Sequence, residues 1–158
     1  MLHISLPGAT EFRLTHLVCD LNGTLAVDGQ MSESVRERLI KLSEQLQIHV
    51  VSADTHGTLE QIAASLQEAG ISVRTERVST GAGKVAYVRA LGAGEVVAVG
   101  NGVNDVGMFR IVRLSIAVCW TEGLAQAALQ IATLLTPSPE AALDLLLYPS
   151  RLIATLRP

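Results

Sequence analysis

Residue types that mark particular protein classes are scarce in this chain. Aromatic residues make up 3% of its 158 residues, and there are two cysteines, Cys19 and Cys119. Cysteines so far apart form neither a disulfide framework nor a metal-binding spacing, so both are expected to be small buried apolar residues. The four histidines form no ligand pattern, and only His56 lies just beyond a candidate site strand.

Charge of one sign and long apolar runs are also lacking. The formal net charge is −3, so the chain has no basic excess of the kind expected of a nucleic-acid binder. No uninterrupted apolar run is long enough to cross a bilayer, and residues 1–7 lack the regions of a signal peptide. The composition therefore predicts one domain over residues 1–158, cytoplasmic, with neither a nucleic acid nor a membrane as partner.

Strand-like and helix-like segments alternate along the chain. Residues 1–14 contain two short alternating segments around Pro7-Gly8, which suggests a hairpin. The predicted strands that follow are 15–21, 48–52, 71–78, 95–100, 114–118 and 131–135. The predicted helices are 32–46, 58–69, 84–91, 106–112, 124–130, 140–147 and 150–156. This alternation indicates parallel βαβ units, and hence an α/β fold with a helix-covered sheet.

Polar clusters follow two of the apolar strands. The sequence Cys-Asp-Leu-Asn-Gly-Thr-Leu (19–25) places Asp20 at the end of the first strand. The sequence Gly-Asn-Gly-Val-Asn-Asp (100–105) places Asn101, Asn104 and Asp105 at the end of another. Because ligands bind beyond the carboxyl ends of the strands in open α/β sheets, the clusters are expected to form one site. A carboxylate beside a glycine turn is a candidate nucleophile toward a phosphoryl group.

Further candidates lie between these two clusters. Ser52 ends the strand 48–52, where its hydroxyl can bind a phosphate oxygen, although a plain strand-terminating serine is the commoner case. Lys84 follows Gly-Ala-Gly and opens a predicted helix, where its ammonium would neutralise a phosphate and the Asp20 carboxylate. A cation there opposes the helix dipole, which favours a functional role over that of an exposed helix residue.

In this order the motifs resemble those of the haloacid-dehalogenase-like (HAD) superfamily, most closely the phosphorylation domain of P-type ATPases. The sequence Val-Ser-Ala-Asp-Thr (51–55) is similar to the Thr-Gly-Asp motif of those ATPases, with Ser52 at the threonine position and Asp54 at the aspartate position. The resemblance implies a Rossmann-like three-layer sandwich with a mostly parallel central sheet. The chain has no room for a cap domain. It also lacks membrane segments, so the resemblance does not establish ATP-driven transport.

The resemblance implies a Mg²⁺-dependent phosphohydrolase or phosphotransferase, with a role for each motif. The catalytic residues would be Asp20 as the nucleophile, Asn22 and Lys84. Phosphate contacts would come from Gly23, Ser52, Ala53, Lys84 and Asn104. The ligands of Mg²⁺ would be Asp20, the backbone carbonyl of Asn22, Asn101 and Asp105, the last through water.

Two residues depart from the family pattern. Asn22 replaces the aspartate that acts as general acid and base, so a phosphate on Asp20 is expected to hydrolyse slowly. Asn101 replaces a metal-binding aspartate, which lowers the expected affinity for Mg²⁺. Both changes motivate an alternative interpretation, a phosphate- or nucleotide-binding regulatory protein with weakened catalysis. The retention of Asp20 counts against this alternative, because binding alone needs no nucleophile.

A site without a cap is open, so either a large substrate enters it or a neighbouring subunit covers it. In the capless sugar-acid phosphatases of the superfamily, oligomerisation covers the site. The Asp28-Gly29 turn resembles the hairpin that those enzymes project towards the site. A small phosphorylated substrate and a homo-oligomer are therefore the expected partners. The apolar segments 143–147 and 152–156 are a candidate subunit contact, or else pack onto the chain's own sheet.

Overall fold

The structure is a computed structural model that describes residues 1–8, 11–53 and 57–158. Its strands are β1 (Leu2–Ile4), β2 (Phe12–Leu14), β3 (His16–Cys19), β4 (Gln47–Ser52), β5 (Val73–Arg77), β6 (Val96–Gly100), β7 (Leu114–Val118) and β8 (Leu134–Thr136). Its helices are α1 (Glu33–Ser43), α2 (Thr58–Glu68), α3 (Gly81–Leu91), α4 (Val106–Phe109), α5 (Gln126–Leu129), α6 (Pro139–Leu147) and α7 (Pro149–Leu156). This order confirms the predicted alternation of strands and helices.

Six strands form one parallel sheet in the order β5-β4-β3-β6-β7-β8. The central strand β3 pairs with β4 on one side and β6 on the other, with Cys19 opposite Val50 and Val99. The chain first extends the sheet outward from β3 to β5 and then returns to the other side of β3 at β6. The crevice between the carboxyl ends of β3 and β6 is therefore the switch point, where ligands bind in folds of this kind.

Apolar cores cover both faces of this sheet. One core packs against α1, α2, α6 and α7, and the other against α3, α4 and α5. Successive strand residues face opposite cores, so that Val97 and Val99 join the first core and Val96 and Ala98 the second. The result is the predicted three-layer sandwich, and no inserted cap domain interrupts it within the described residues.

The N-terminal strands pair with each other, and a tight turn follows β3. Strand β1 pairs antiparallel with β2, as predicted, with Leu2 opposite Leu14. Asp28 and Gly29 both have positive φ angles, 50° and 75°. Two backbone hydrogen bonds, of 3.0 and 2.9 Å, join the residues that flank this pair. The Asp-Gly sequence therefore forms a tight turn, as its composition indicates.

Helix α3 begins three residues earlier than the predicted helix 84–91. The Thr80 hydroxyl accepts a hydrogen bond of 3.1 Å from the Gly83 N–H and caps the helix at Gly81. Lys84 consequently lies at the end of the first turn rather than at the opening of the helix. The capping threonine is the signal that places the boundary.

Helices α4 and α5 are shorter than the predicted helices 106–112 and 124–130. The N–H of Arg113 donates to the carbonyl of Val96 at 3.1 Å, which draws the chain towards β7 soon after α4 ends. The N–H of Ala125 donates to the carbonyl of Asn101 at 2.9 Å, and Ala125 is extended. Tertiary hydrogen bonds thus shorten helices whose apolar spacing would allow a longer run.

Three predictions from composition have different outcomes. Cys19 is buried as expected, but the prediction for Cys119 is wrong: it is exposed, because it follows the last residue of β7 where the chain leaves the sheet.

In the C-terminal helices, Leu143, Leu146 and Leu152 are buried in the chain's own core, which favours intramolecular packing over a subunit contact. Among the described residues, no helix has both the length and the apolar character needed to cross a membrane.

Candidate active site

The carboxyl ends of β3, β4 and β6 bring residues of the four motifs to one edge of the sheet. Asp20 directly follows β3, Ser52 is the last residue of β4, and Asn101 directly follows β6. The Asp20 N–H donates to the carbonyl of Val99 at 2.9 Å, which ties the first motif to the strand that carries the fourth. Residues far apart in sequence therefore meet at the switch point of the sheet.

Lys84 is the centre of a buried charge cluster at this edge. Its Nζ donates to Oδ1 of Asp20 at 2.6 Å and to Oδ1 of Asp105 at 2.7 Å. Lys84 and Asp105 have 0% of their surface exposed, and Asp20 has 6%. Lysine is almost never fully buried unless it is paired. The alternative in which Lys84 is an exposed helix residue is therefore excluded.

Burial and mutual attraction shift pKa values within this cluster. Burial and the Asp105 charge raise the pKa of Asp20 to about 6, against the opposing effect of Lys84. Burial would lower the pKa of Lys84, but attraction to Asp20 and Asp105 outweighs it and raises that pKa above its usual value. Lys84 therefore stays charged, and its single ammonium serves two carboxyl groups.

Asp105 holds the fourth motif in shape. Its Oδ2 accepts the N–H groups of Asn101 and Gly102, each at 2.9 Å, while its Oδ1 accepts from Lys84. A Cβ at Gly100 would collide with the Asp105 carboxylate, so only glycine leaves the space for it. Because both oxygens accept from N–H donors, Asp105 is better placed to meet a metal ion through water than directly.

Thr24 is missing from the predicted site residues although it contacts two of them. Its hydroxyl lies 3.4 Å from Oδ2 of Asp20 and 3.2 Å from Oδ1 of Asn101, and it is fully buried. The hydroxyl therefore orients a carboxylate oxygen and an amide oxygen towards each other. Its position in the turn directly after Asp20 is the signal that sequence reasoning could have used.

The oxygen donors around Thr24 fit a magnesium ion. Mg²⁺ takes oxygen ligands in octahedral geometry and keeps several waters. Asp20 Oδ2, Asn101 Oδ1 and the backbone carbonyl of Asn22 are oxygens of the required type. Within the described part of the chain, no three His, Cys, Asp or Glu side chains are grouped to hold a metal ion. An ion here would consequently depend on amide, carbonyl and water oxygens for most of its ligands.

The other predicted residues lie at the same edge but differ in exposure. Ser52 is buried, and Ala53 beside it is exposed. Asn104 is half-buried, and Asn22 is exposed in the turn after β3. Asp54, the predicted aspartate of the second motif, lies outside the described residues. The structure thus brings the serine, lysine and carboxylate motifs together.

Two histidines contact each other away from this cluster. His16 Nδ1 lies 3.0 Å from His49 Nε2, and His49 Nδ1 lies 2.8 Å from the Tyr87 hydroxyl. Burial, together with the charges of His16 and Arg74, lowers the pKa of His49 to about 4. Sequence reasoning missed this chain of hydrogen bonds. His56, which it singled out, lies outside the described residues.

Solved structures with this fold match the chain over almost its entire length. A HAD family hydrolase from Streptomyces avermitilis has a TM-score of 0.70 at 20% identity, with 92% of each chain covered. The 3-deoxy-D-manno-octulosonate 8-phosphate phosphatase of Moraxella catarrhalis, in complex with magnesium and phosphate ions, has a TM-score of 0.70 at 16% identity, with 91% of this chain and 94% of that chain covered. The cobalt-bound form of the deoxy-D-mannose-octulosonate 8-phosphate phosphatase (YrbI) from Haemophilus influenzae also has a TM-score of 0.70, at 15% identity, with 92% of this chain and 94% of that chain covered.

Together with the site geometry, these similarities define the fold: the chain has the fold of the HAD-like superfamily in its capless form. No family model matches the sequence. The uncharacterized protein MJ0072 of Methanocaldococcus jannaschii is 51% identical over 39 residues, which are 25% of this chain and 89% of that protein. The chain belongs to the same sequence family as this short protein, whose name states no activity.

Proposed function

We propose that the chain is a Mg²⁺-dependent phosphohydrolase or phosphotransferase that acts on a small phosphorylated substrate through a covalent phosphate on Asp20. The contact of Lys84 with both Asp20 and Asp105 carries this proposal. Burying a lysine and two carboxylates costs desolvation free energy. Such a cluster at the ligand-binding edge of the sheet therefore points to a function of its charges. Its position at the switch point, in a fold shared with phosphatases, supports phosphoryl transfer as that function.

In the proposed reaction, a carboxylate oxygen of Asp20 attacks the phosphorus atom of a phosphate monoester. The bond from phosphorus to the ester oxygen breaks, and the leaving oxygen takes its proton from water, since the Asn22 amide is too weak an acid to supply one. Lys84, the hydroxyl of Ser52 and the backbone N–H of Ala53 would stabilise the charge on the phosphoryl oxygens. Bound Mg²⁺ would supply further neutralisation of that charge.

The second half of the reaction returns Asp20 to its free form. Water, or an acceptor hydroxyl in a transferase, attacks the phosphorus and breaks the bond to the Asp20 oxygen, and the proton of the attacking group passes to the surrounding water. A carboxylate at position 22 would remove the proton of the attacking water, and the Asn22 amide cannot do so. The phosphorylated form is consequently expected to accumulate, with its breakdown limiting turnover.

The test is hydrolysis of para-nitrophenyl phosphate and a panel of phosphorylated metabolites, with and without Mg²⁺. Asp20→Asn is expected to lower turnover by at least about a thousandfold, because the covalent step is lost. Asp144→Asn is the matched control, since Asp144 pairs with Arg38 at 2.8 Å between α6 and α1. Peptide mapping after acid quenching should find phosphate on the peptide that contains Asp20. Equal activity of the wild type and Asp20→Asn would refute the covalent route.

A second candidate function is supported by Asn22 and Asn101, which remove two carboxylates that the family pattern places at this site. It is phosphate or nucleotide binding without turnover, in a regulatory protein. Under this alternative neither the wild type nor Asp20→Asn hydrolyses any substrate, yet phosphate or a nucleotide raises the melting temperature of the wild type. Metal-dependent turnover that Asp20→Asn loses would exclude it.

A further inference from the structure

A carboxylate outside the four motifs stands at the same edge of the sheet. Glu122 lies in the loop after β7, the strand next to β6. Its turn is closed by the N–H of Gly123, which donates to the carbonyl of Trp120 at 2.8 Å. Asn101 fixes this loop through two hydrogen bonds. Its side-chain Nδ2 donates to the backbone carbonyl of Gly123 at 3.2 Å, and its backbone carbonyl accepts from the N–H of Ala125. The loop that carries the exposed Glu122 is therefore held beside the fourth motif.

The Glu122 carboxylate also lies against the first motif. A Cβ at Gly23 would stand 2.8 Å from Glu122 Oε2 and would collide with Asn101 Nδ2. The glutamate and asparagine side chains thus occupy adjoining positions over the same glycine, three residues beyond Asp20. Glu122 forms no ion pair with any residue that the structure describes. Its negative charge is therefore available to a bound cation.

The net charge of the ligand set is smaller than the family pattern would give. Asp20 and Asp105 share the single positive charge of Lys84, which leaves one net negative charge when both are ionised. Asn101 adds none, although an aspartate stands at its position in the family pattern. An amide oxygen can still bind Mg²⁺, but it contributes no charge to the attraction.

We infer that Glu122 supplies to the metal ion the negative charge that Asn101 lacks. This inference rests on the function proposed above, because it concerns the same Mg²⁺ site. Glu122 is not grouped with Asp20 and Asp105 among the described residues, so it is placed outside the direct ligands and acts on the ion through its charge. Groups that contact the ligands or waters of a metal ion commonly change its affinity ten- to a hundredfold.

The test is a titration with Mn²⁺, which prefers the same oxygen ligands as Mg²⁺. Electron paramagnetic resonance measures the Mn²⁺ that stays free and hence the dissociation constant. Glu122→Gln is expected to weaken binding about tenfold or more. Glu44→Gln is the matched control, because Glu44 is exposed and lies at the end of α1, at the opposite edge of the sheet. Trp120 is the one tryptophan of the chain, so its quenching by Mn²⁺ reports binding near Glu122.

A second variant separates charge from structure. Adding Asn101→Asp to Glu122→Gln moves the carboxylate back to the family position, and it is expected to restore at least the wild-type affinity. Continued weak binding by this double variant would overturn the inference. Equal binding by the wild type and Glu122→Gln would also overturn it, while leaving the proposed Mg²⁺ site intact. A wild-type protein that binds no Mn²⁺ at millimolar concentration would remove both the inference and the metal dependence of the proposed function.

Discussion

At the scale of single residues, the charge balance of the site depends on Lys84. Replacing it by methionine would leave Asp20 and Asp105 buried without a counter-charge. Lys84→Met should lower the free energy of unfolding by about 3–5 kcal/mol, as measured by urea denaturation. The only other lysine, Lys41, is exposed on α1, so Lys41→Met should change stability by no more than about 0.5 kcal/mol. Equal effects of the two variants would contradict the buried ion cluster.

Asn22 is the residue whose replacement should speed the proposed reaction. Asn22→Asp adds a carboxylate at the position where the family has its general acid and base. Turnover of a phosphate monoester should rise by about a hundredfold or more, since positioned acid–base groups contribute on that order. Asn22→Gln keeps an amide and should give no increase. If Asn22→Asp were no faster than the wild type, another group would be serving as acid and base.

At the scale of elements, β3, β4 and α3 are joined by the hydrogen bonds from His16 through His49 to Tyr87. His49 is fully buried, and burial is the main reason that its pKa falls to about 4. The pKa in the unfolded chain is about 6.5, so the unfolded state takes up a proton first as the pH falls. The stability that depends on a neutral His49 is therefore complete above pH 6.5 and is lost as the pH falls towards 4.

This linkage gives a measurable acid sensitivity. Between pH 7 and pH 5 the contribution of His49 should fall by about 2 kcal/mol. His49→Gln cannot take up the proton, so its unfolding free energy should vary less over this range than that of the wild type. Parallel pH profiles for the wild type and His49→Gln would show that another group causes the loss.

Sequence patterns predicted which segments form helices and strands better than they predicted the residues at which these elements begin and end. The helix that carries Lys84 was predicted, but its start at Gly81 depends on the capping hydroxyl of Thr80. The extended backbone at Ala125 depends on a hydrogen bond to Asn101, a residue distant in sequence. Periodicity reports which face of a segment is buried, and it contains no information on such contacts. Helix α5 is short for that reason.

At the scale of the whole molecule, the alternation of strand-like and helix-like segments allowed the α/β class to be predicted, and the motifs allowed much of the site to be predicted. Asp20, Lys84 and Asp105 do meet, because each follows or faces the carboxyl end of a central strand. Thr24 was missed although its place in the turn directly after Asp20 was a usable signal, whereas Glu122 is a lone glutamate in a loop and has no distinguishing pattern. Their contacts arise from the order of the strands, which places the loops after β3, β6 and β7 side by side.

The pairing of β3 with β6 has a consequence for the making of the protein. The central strand ends at Cys19, but its second neighbour begins at Val96. At about 5–20 residues per second, a ribosome takes roughly 4–15 s to make the chain between them. During that time one edge of β3 stays unpaired and its apolar residues lack half of their cover. The nascent chain therefore exposes an apolar, unpaired strand edge that can pair with other chains. A chaperone that binds the chain early would prevent this aggregation.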